Sequence, residues 1–169
     1  MTVYVALLRA INIGGTGVLP MNDLRALCAE IGFRHVRTYI QSGNVVFESP
    51  ASEREVRTAL ERALAEWMGK PVDVMIRTAA ELRSVLVANP FPDVKPAQVA
   101  VVFLADPAPQ DLLAGLVVPG REEIRPAGRE VYIHYPDGMG RSKLKLPAAA
   151  RGTARNINTV AKLVEMAER

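Results

Sequence analysis

Six consecutive apolar residues, Val3–Leu8, open the pattern, and such a run predicts a strand covered on both faces. Arg9 closes it. A helix is predicted where Leu24, Leu27, Cys28 and Ile31 recur at helical spacing, entered near Pro20 and stopped at Gly32. Val36–Ile40 and Val45–Glu48 read as two further strands around a Ser42-Gly43-Asn44 turn, in which Gly43 supplies the positive φ and Asn44 tolerates it. Ser52 and Glu55 have capping-box spacing, so a second helix follows, with Val56, Leu60, Leu64 and Trp67 as its buried stripe and Gly69 as its end. Val72–Ile76 is a fourth strand whose faces differ more, as expected near a sheet edge.

The order is β-α-β-β-α-β, the ferredoxin-like or split β-α-β motif. The chain therefore reads as α+β, with a ferredoxin-like part over residues 1–77 and a second, smaller α+β part over residues 78–169. In the second part Thr78 and Glu81 cap a helix carrying Leu82, Val85 and Leu86, and the proline-spaced stretch from Asn89 to Pro96 breaks it. Val99–Leu104 is a strand and Pro107–Leu116 a predicted helix. Glu122–Arg125 and Glu130–Tyr135 are short strands around a Pro126–Arg129 turn, and Ser142–Leu146 is a short helix or strand. Asn156 or Asn158 caps a last helix whose Val160, Leu163, Val164 and Ala167 face inwards. No internal sequence repeat is visible.

Composition narrows the chemistry. At 169 residues with 49% apolar but only 5% aromatic residues, the core must be built mainly from Val, Leu, Ile and Ala. A single cysteine, Cys28, excludes an internal disulfide and any multi-thiolate metal site, and its place on the first helical stripe gives it a core role. His35 and His134 have no ligand-type residues clustered around them, so no metal site is expected and each reads as a surface or strand-end residue. No run reaches the length of a membrane span, and Val3–Leu8 is too short for a signal h-region, which predicts a soluble, cytoplasmic protein without membrane association. Six basic residues and no acid lie between Gly138 and Leu163, leaving 15 basic against 18 acidic residues elsewhere. Basicity is thus concentrated in one C-terminal stretch that an anionic partner could use.

The predicted topology brings separate polar residues together. The first and second strands run parallel, so the end of the first meets the turn between the second and third at one sheet edge. Arg9, Asn12, Gly14 and Gly15 are then expected beside Gln41, Ser42, Gly43 and Asn44. The N-terminus of the first helix adds unpaired N–H groups there, glycines permit close backbone approach, and arginine offers a fork for phosphate or carboxylate. The arrangement suits a small anionic ligand, a phosphate-containing metabolite or a nucleotide. No catalytic set is read. Gly14-Gly15-Thr16-Gly17 lacks the dinucleotide-binding spacing, Gly138–Lys143 lacks the P-loop gap, and Ser42 lacks a nucleophile-elbow context, so no cofactor is expected.

Leu8–Gly15, Thr38–Phe47, Asn89–Phe91, Gly138–Lys143 and Thr153–Leu163 together resemble a widespread bacterial family of domain-of-unknown-function proteins, with LRxINxGG, YIQSGNVVF and RNxNTV motifs. The resemblance spans essentially the whole chain and implies an α+β fold with a ferredoxin-like part and no assigned activity. Its later motifs add Ser142, Lys143, Arg155 and Asn156 as secondary candidates. Ile157 stands where the family motif carries tryptophan, which weakens any stacking role there and leaves a packing role intact.

Two other classes compete. A ferredoxin-like topology with a basic C-terminal stretch fits a nucleic-acid-binding module, although the central strands lack the paired exposed aromatics that stack bases. An exposed apolar sheet face would instead serve oligomerisation or another protein interaction.

Overall fold

The computed structural model describes residues 1–12, 18–147 and 150–169. The elements among these residues are β1 (Thr2–Leu8), α1 (Met21–Ile31), β2 (Arg34–Tyr39), β3 (Asn44–Ser49), α2 (Glu53–Met68), β4 (Val74–Thr78), α3 (Ala79–Val87), β5 (Val99–Phe103), β6 (Glu123–Ala127), β7 (Glu130–His134), β8 (Thr153–Asn156) and α4 (Ile157–Ala167). They form two four-stranded antiparallel sheets and four helices, an α+β protein. Two compact units divide the chain: residues 1–83 with 163–169, and residues 84–162.

In the first unit the sheet order is β2-β3-β1-β4. The first strand lies against the third, with Tyr4 opposite Phe47 and Leu7 opposite Asn44. Alternation sends Tyr4, Ala6, Leu8, Val45, Phe47 and Ile76 to one face, where they meet Leu24, Leu27 and Cys28 of α1 and Val56, Leu60 and Leu64 of α2. Each fully buried leucine here contributes about 1.5–3 kcal/mol relative to exposure. Phe33 stacks on Phe47 with ring centroids 4.0 Å apart. Both expected capping boxes form: Ser52 with Glu55, and Thr78 with Glu81. Trp67 departs from expectation, being 45% exposed. The buried row follows i, i+4 steps through Val56, Leu60 and Leu64, so Met68 rather than Trp67 continues it against the core.

The second unit repeats the topology with the order β6-β7-β5-β8. Register matches as well. Val5 pairs with Val46 and Arg77, while Val101 pairs with Tyr132 and Arg155, and a helix starts two residues after each of these arginines. Arg37 and Arg125 occupy corresponding places in the second strands, opposite Val46 and Tyr132. The crossovers differ. Pro107–Leu116, expected as a helix, is a series of turns closed by bonds such as Leu112 N to Pro109 O (3.1 Å) and Ala114 N to Asp111 O (2.9 Å). Pro107 and Pro109 remove N–H donors at its start, and Gly115 turns left-handed at φ 69°. Ser142–Leu146 is neither helix nor strand; after a 3-10 turn at Met139–Arg141 it alternates between half-buried and exposed positions. Leu112, Leu116, Leu144 and Leu146 from these irregular segments cover the face carrying Val102, Ile124, Val131 and Ile133.

Thr153–Asn156, to which the sequence assigns no element beyond Asn156 as a possible cap of the last helix, is an edge strand, and α4 begins directly after it. Asn156 Oδ1 accepts from Asn158 N at 2.8 Å, the capping bond expected of it. Val160, Leu163, Val164 and Ala167 are buried as expected, and so is Ile157.

Candidate functional site

The edge where β1 ends is built by two asparagines. Leu8 N donates to Gly43 O and Arg9 N to Asp73 O, both at 2.9 Å, which fixes the β1 exit against the hairpin and the chain before β4. Asn12 then bridges three segments. Its Nδ2 donates to Leu19 O (3.0 Å) and Gln41 O (2.7 Å), and its Oδ1 accepts from Leu19 N (2.6 Å). The β1 exit, the approach to α1 and the β2–β3 turn are thereby held together. Pro20, the N-cap of α1, makes no side-chain capping bond, and its carbonyl oxygen accepts from Asp23 N and Leu24 N, both at 3.0 Å.

The hairpin turn is Ile40–Gly43. Gly43 has φ 86°, as its place in the turn requires, and a Cβ there would lie 2.6 Å from Ile11 Cδ1 and 2.9 Å from Leu8 Cβ. Asn44, expected to share the positive φ, does not take it; Ile40 does, at 50°. Asn44 is instead the first residue of β3, fully buried, and its Nδ2 donates to Tyr39 O and Ser42 Oγ, both at 2.9 Å. Its amide therefore shapes the turn. Gln41 and Ser42 are exposed and Arg9 is half-buried. Gly14 and Gly15 lie outside the described residues.

Two further features of this edge had weak sequence signals. Arg25, on the polar side of α1, donates to Asn22 Oδ1 and to Thr38 Oγ1, adding a second guanidinium beside the end of β2. The i, i+3 spacing of Asn22 and Arg25 was its only trace. Backbone strain is the other: among the described residues Ala10, Asn12, His35 and Ile40 are the non-glycine residues at positive φ, and three of these four flank this edge.

The secondary candidates fall in two places, Ser142 and Lys143 after the 3-10 turn and Arg155 and Asn156 in β8. Arg155 is buried in β8, its Nη1 donating to Thr153 Oγ1 (2.5 Å) and Ala154 O (2.9 Å), and burial pulls its pKa down to about 10. Asn156 Nδ2 donates to Ala97 O at 3.0 Å. Ser142 Oγ donates to Glu122 at 2.8 Å and accepts from Leu144 N; a backbone N–H bond first, and the Ser142 hydroxyl after it, hold the Glu122 carboxyl below its ordinary range. Lys143 is exposed. The histidines differ in kind. His35 is exposed and sits 3.3 Å from Glu48, whereas His134, at the end of β7, is buried rather than superficial, beside Gln98 and the Phe91 ring. Among the described residues no three His, Cys, Asp or Glu side chains gather where they could hold a metal ion.

Two antiparallel four-stranded sheets with helices, and a polar edge braced by asparagines, define an α+β protein; no helix among the described residues is long and apolar enough to cross a membrane. A family model described as "Protein of unknown function (DUF1697)" matches residues 1–132, and the chain belongs to that family. Among solved structures it is similar to the conserved bacterial protein SP0830 from Streptococcus pneumoniae, at 23% identity and a TM-score of 0.82, with 98% of each chain covered. At that identity the likeness shows the fold alone. No curated protein matches the chain.

Proposed function

We propose that this is a cytoplasmic protein whose first unit is a ferredoxin-like module that binds a small anionic ligand, a phosphate-containing metabolite or nucleotide, at the edge framed by Arg9, Asn12, Gln41, Ser42, Gly43 and Asn44. The observation that carries the reading is the concentration of left-handed, non-glycine residues at Ala10, Asn12 and Ile40, since strained backbone persists where the surrounding structure enforces it and is enriched at ligand sites. An α1 N-terminus without a side-chain cap and the guanidinium groups of Arg9 and Arg25 give that edge a positive character. The buried Cys28 thiol, pushed up to about 12 by burial, suits a reducing compartment.

A thermal-shift titration with nucleoside phosphates and sugar phosphates tests the reading. At least one should stabilise the protein saturably, by about 2.7 kcal/mol at one hundred times its Kd. Arg9→Ala and Gln41→Ala should each reduce that stabilisation, the arginine more. A panel without any stabilising member, or a stabilisation that Arg9→Ala leaves unchanged, overturns it.

A further inference from the structure

We propose that the second unit holds a separate binding site for an amphipathic carboxylate, a linear aliphatic chain ending in a carboxylate head. The site is the cavity of about 480 Å³ between the 109–119 turns and the segment carrying Lys143 and Lys145. That volume lies within the range of about 300–1,000 Å³ common to small-molecule sites.

Its origin is the missing helices. In the first unit α1 and α2 fill the layer over the sheet. In the second, the proline- and glycine-interrupted crossover makes only turns, and a succession of turns does not present a continuous ridge that fills a groove. Leu112 and Leu116 close the inner wall against the core, while Val117 stands at the cavity with 79% of its surface exposed. An aliphatic chain would remove this apolar surface from water, at about 25 cal/mol per Å².

The head group follows from charge. Leu144 and Leu146 pack against the core, so in this alternating segment Lys143 and Lys145 are the outward positions, about 7 Å apart. Both line the cavity, and both are exposed. Asp111 is the acid in the same wall, which leaves the mouth net positive. Lysine stems can run along the apolar wall while their ammonium groups meet a carboxylate at the rim.

Decanoate and 1-decanol, titrated into the full chain and followed by two-dimensional amide NMR, test the proposal. Decanoate should saturate below its micelle concentration, with shifts concentrated in residues 109–119 and 143–147. The Lys143→Ala/Lys145→Ala double variant should weaken decanoate about tenfold and leave decanol nearly unchanged, because a charge-assisted contact is lost. Val117→Asp, at an exposed position that does not threaten folding, should weaken decanoate as well. Absence of saturation, shifts confined to other segments, or equal loss for both ligands overturns the site.

Discussion

One amide, that of Asn12, makes three hydrogen bonds to two segments separated by more than twenty residues in sequence. Few single side chains could replace it: the acceptor for Leu19 N and the donors for Leu19 O and Gln41 O must come from one planar group. The residue also holds φ at 56°, a conformation asparagine tolerates better than most. Asn12→Ala removes all three bonds and leaves a side chain less suited to that backbone, so we expect a loss of about 1–3 kcal/mol in urea unfolding. Amide exchange at Leu19 should quicken with it. Stability within about 0.5 kcal/mol of the parent would mean that the edge is held together by other contacts. Asn44 works in the same way on the hairpin. Both asparagines were legible as members of a polar cluster, but their hydrogen-bond partners are mostly backbone carbonyls, which sequence does not mark.

At the scale of elements, legibility followed the regularity of the pattern. The continuous run of β1, the capping boxes of α2 and α3 and the turn glycine of the β2–β3 hairpin each carry a local signature, and each forms as read. Their spacing also put the first strand beside the third, and the two are paired. Failures came where tertiary context outweighed local preference. Leu112, Leu113 and Leu116 look helical, yet of the three only Leu112 is buried and the prolines before them favour turns. β8 was hidden because Thr153, Arg155 and Asn156 are polar, and their burial depends on the sheet they join. Gly152 is what lets that strand enter: a Cβ there would sit 2.6 Å from the Phe103 carbonyl oxygen. Backbone cannot yield as a flexible side chain can, so Gly152→Ala should cost about 1–3 kcal/mol. Gly140→Ala, whose Cβ meets nothing within 4 Å, is the matched control and should stay within about 0.5 kcal/mol. Equal urea midpoints for the two variants would show that β8 can move aside.

Across the whole molecule, the same strand order occurs twice, with buried arginines at corresponding register positions, 1% exposed for Arg77 and 7% for Arg155. The repetition is invisible in sequence because it resides in pairing order, while the crossovers are helical in one unit and irregular in the other. Each unit also carries a buried weak acid. Cys28 in the first is pushed up to about 12 by burial, and Tyr132 in the second is also pushed up to about 12, by burial and by the nearby Glu130 charge. The Tyr132 hydroxyl donates to Val85 O at 2.6 Å, a bond the phenolate cannot make. In the unfolded chain both groups lose their protons near their ordinary values of 9.0 and 10.0. Between those values and about 12 the unfolded state therefore binds fewer protons than the folded one, and stability falls as pH rises. The contribution is complete below about pH 9 and lost by about pH 12. We expect urea midpoints that hold steady near neutrality and decline from about pH 9 upward, with Cys28→Ala removing part of the decline. The phenolate absorbance of Tyr132 should then appear late, together with unfolding. A midpoint that stays constant to about pH 11 would show that neither group is as sequestered as its packing implies, and a single tyrosine titration step near pH 10 would show it of Tyr132.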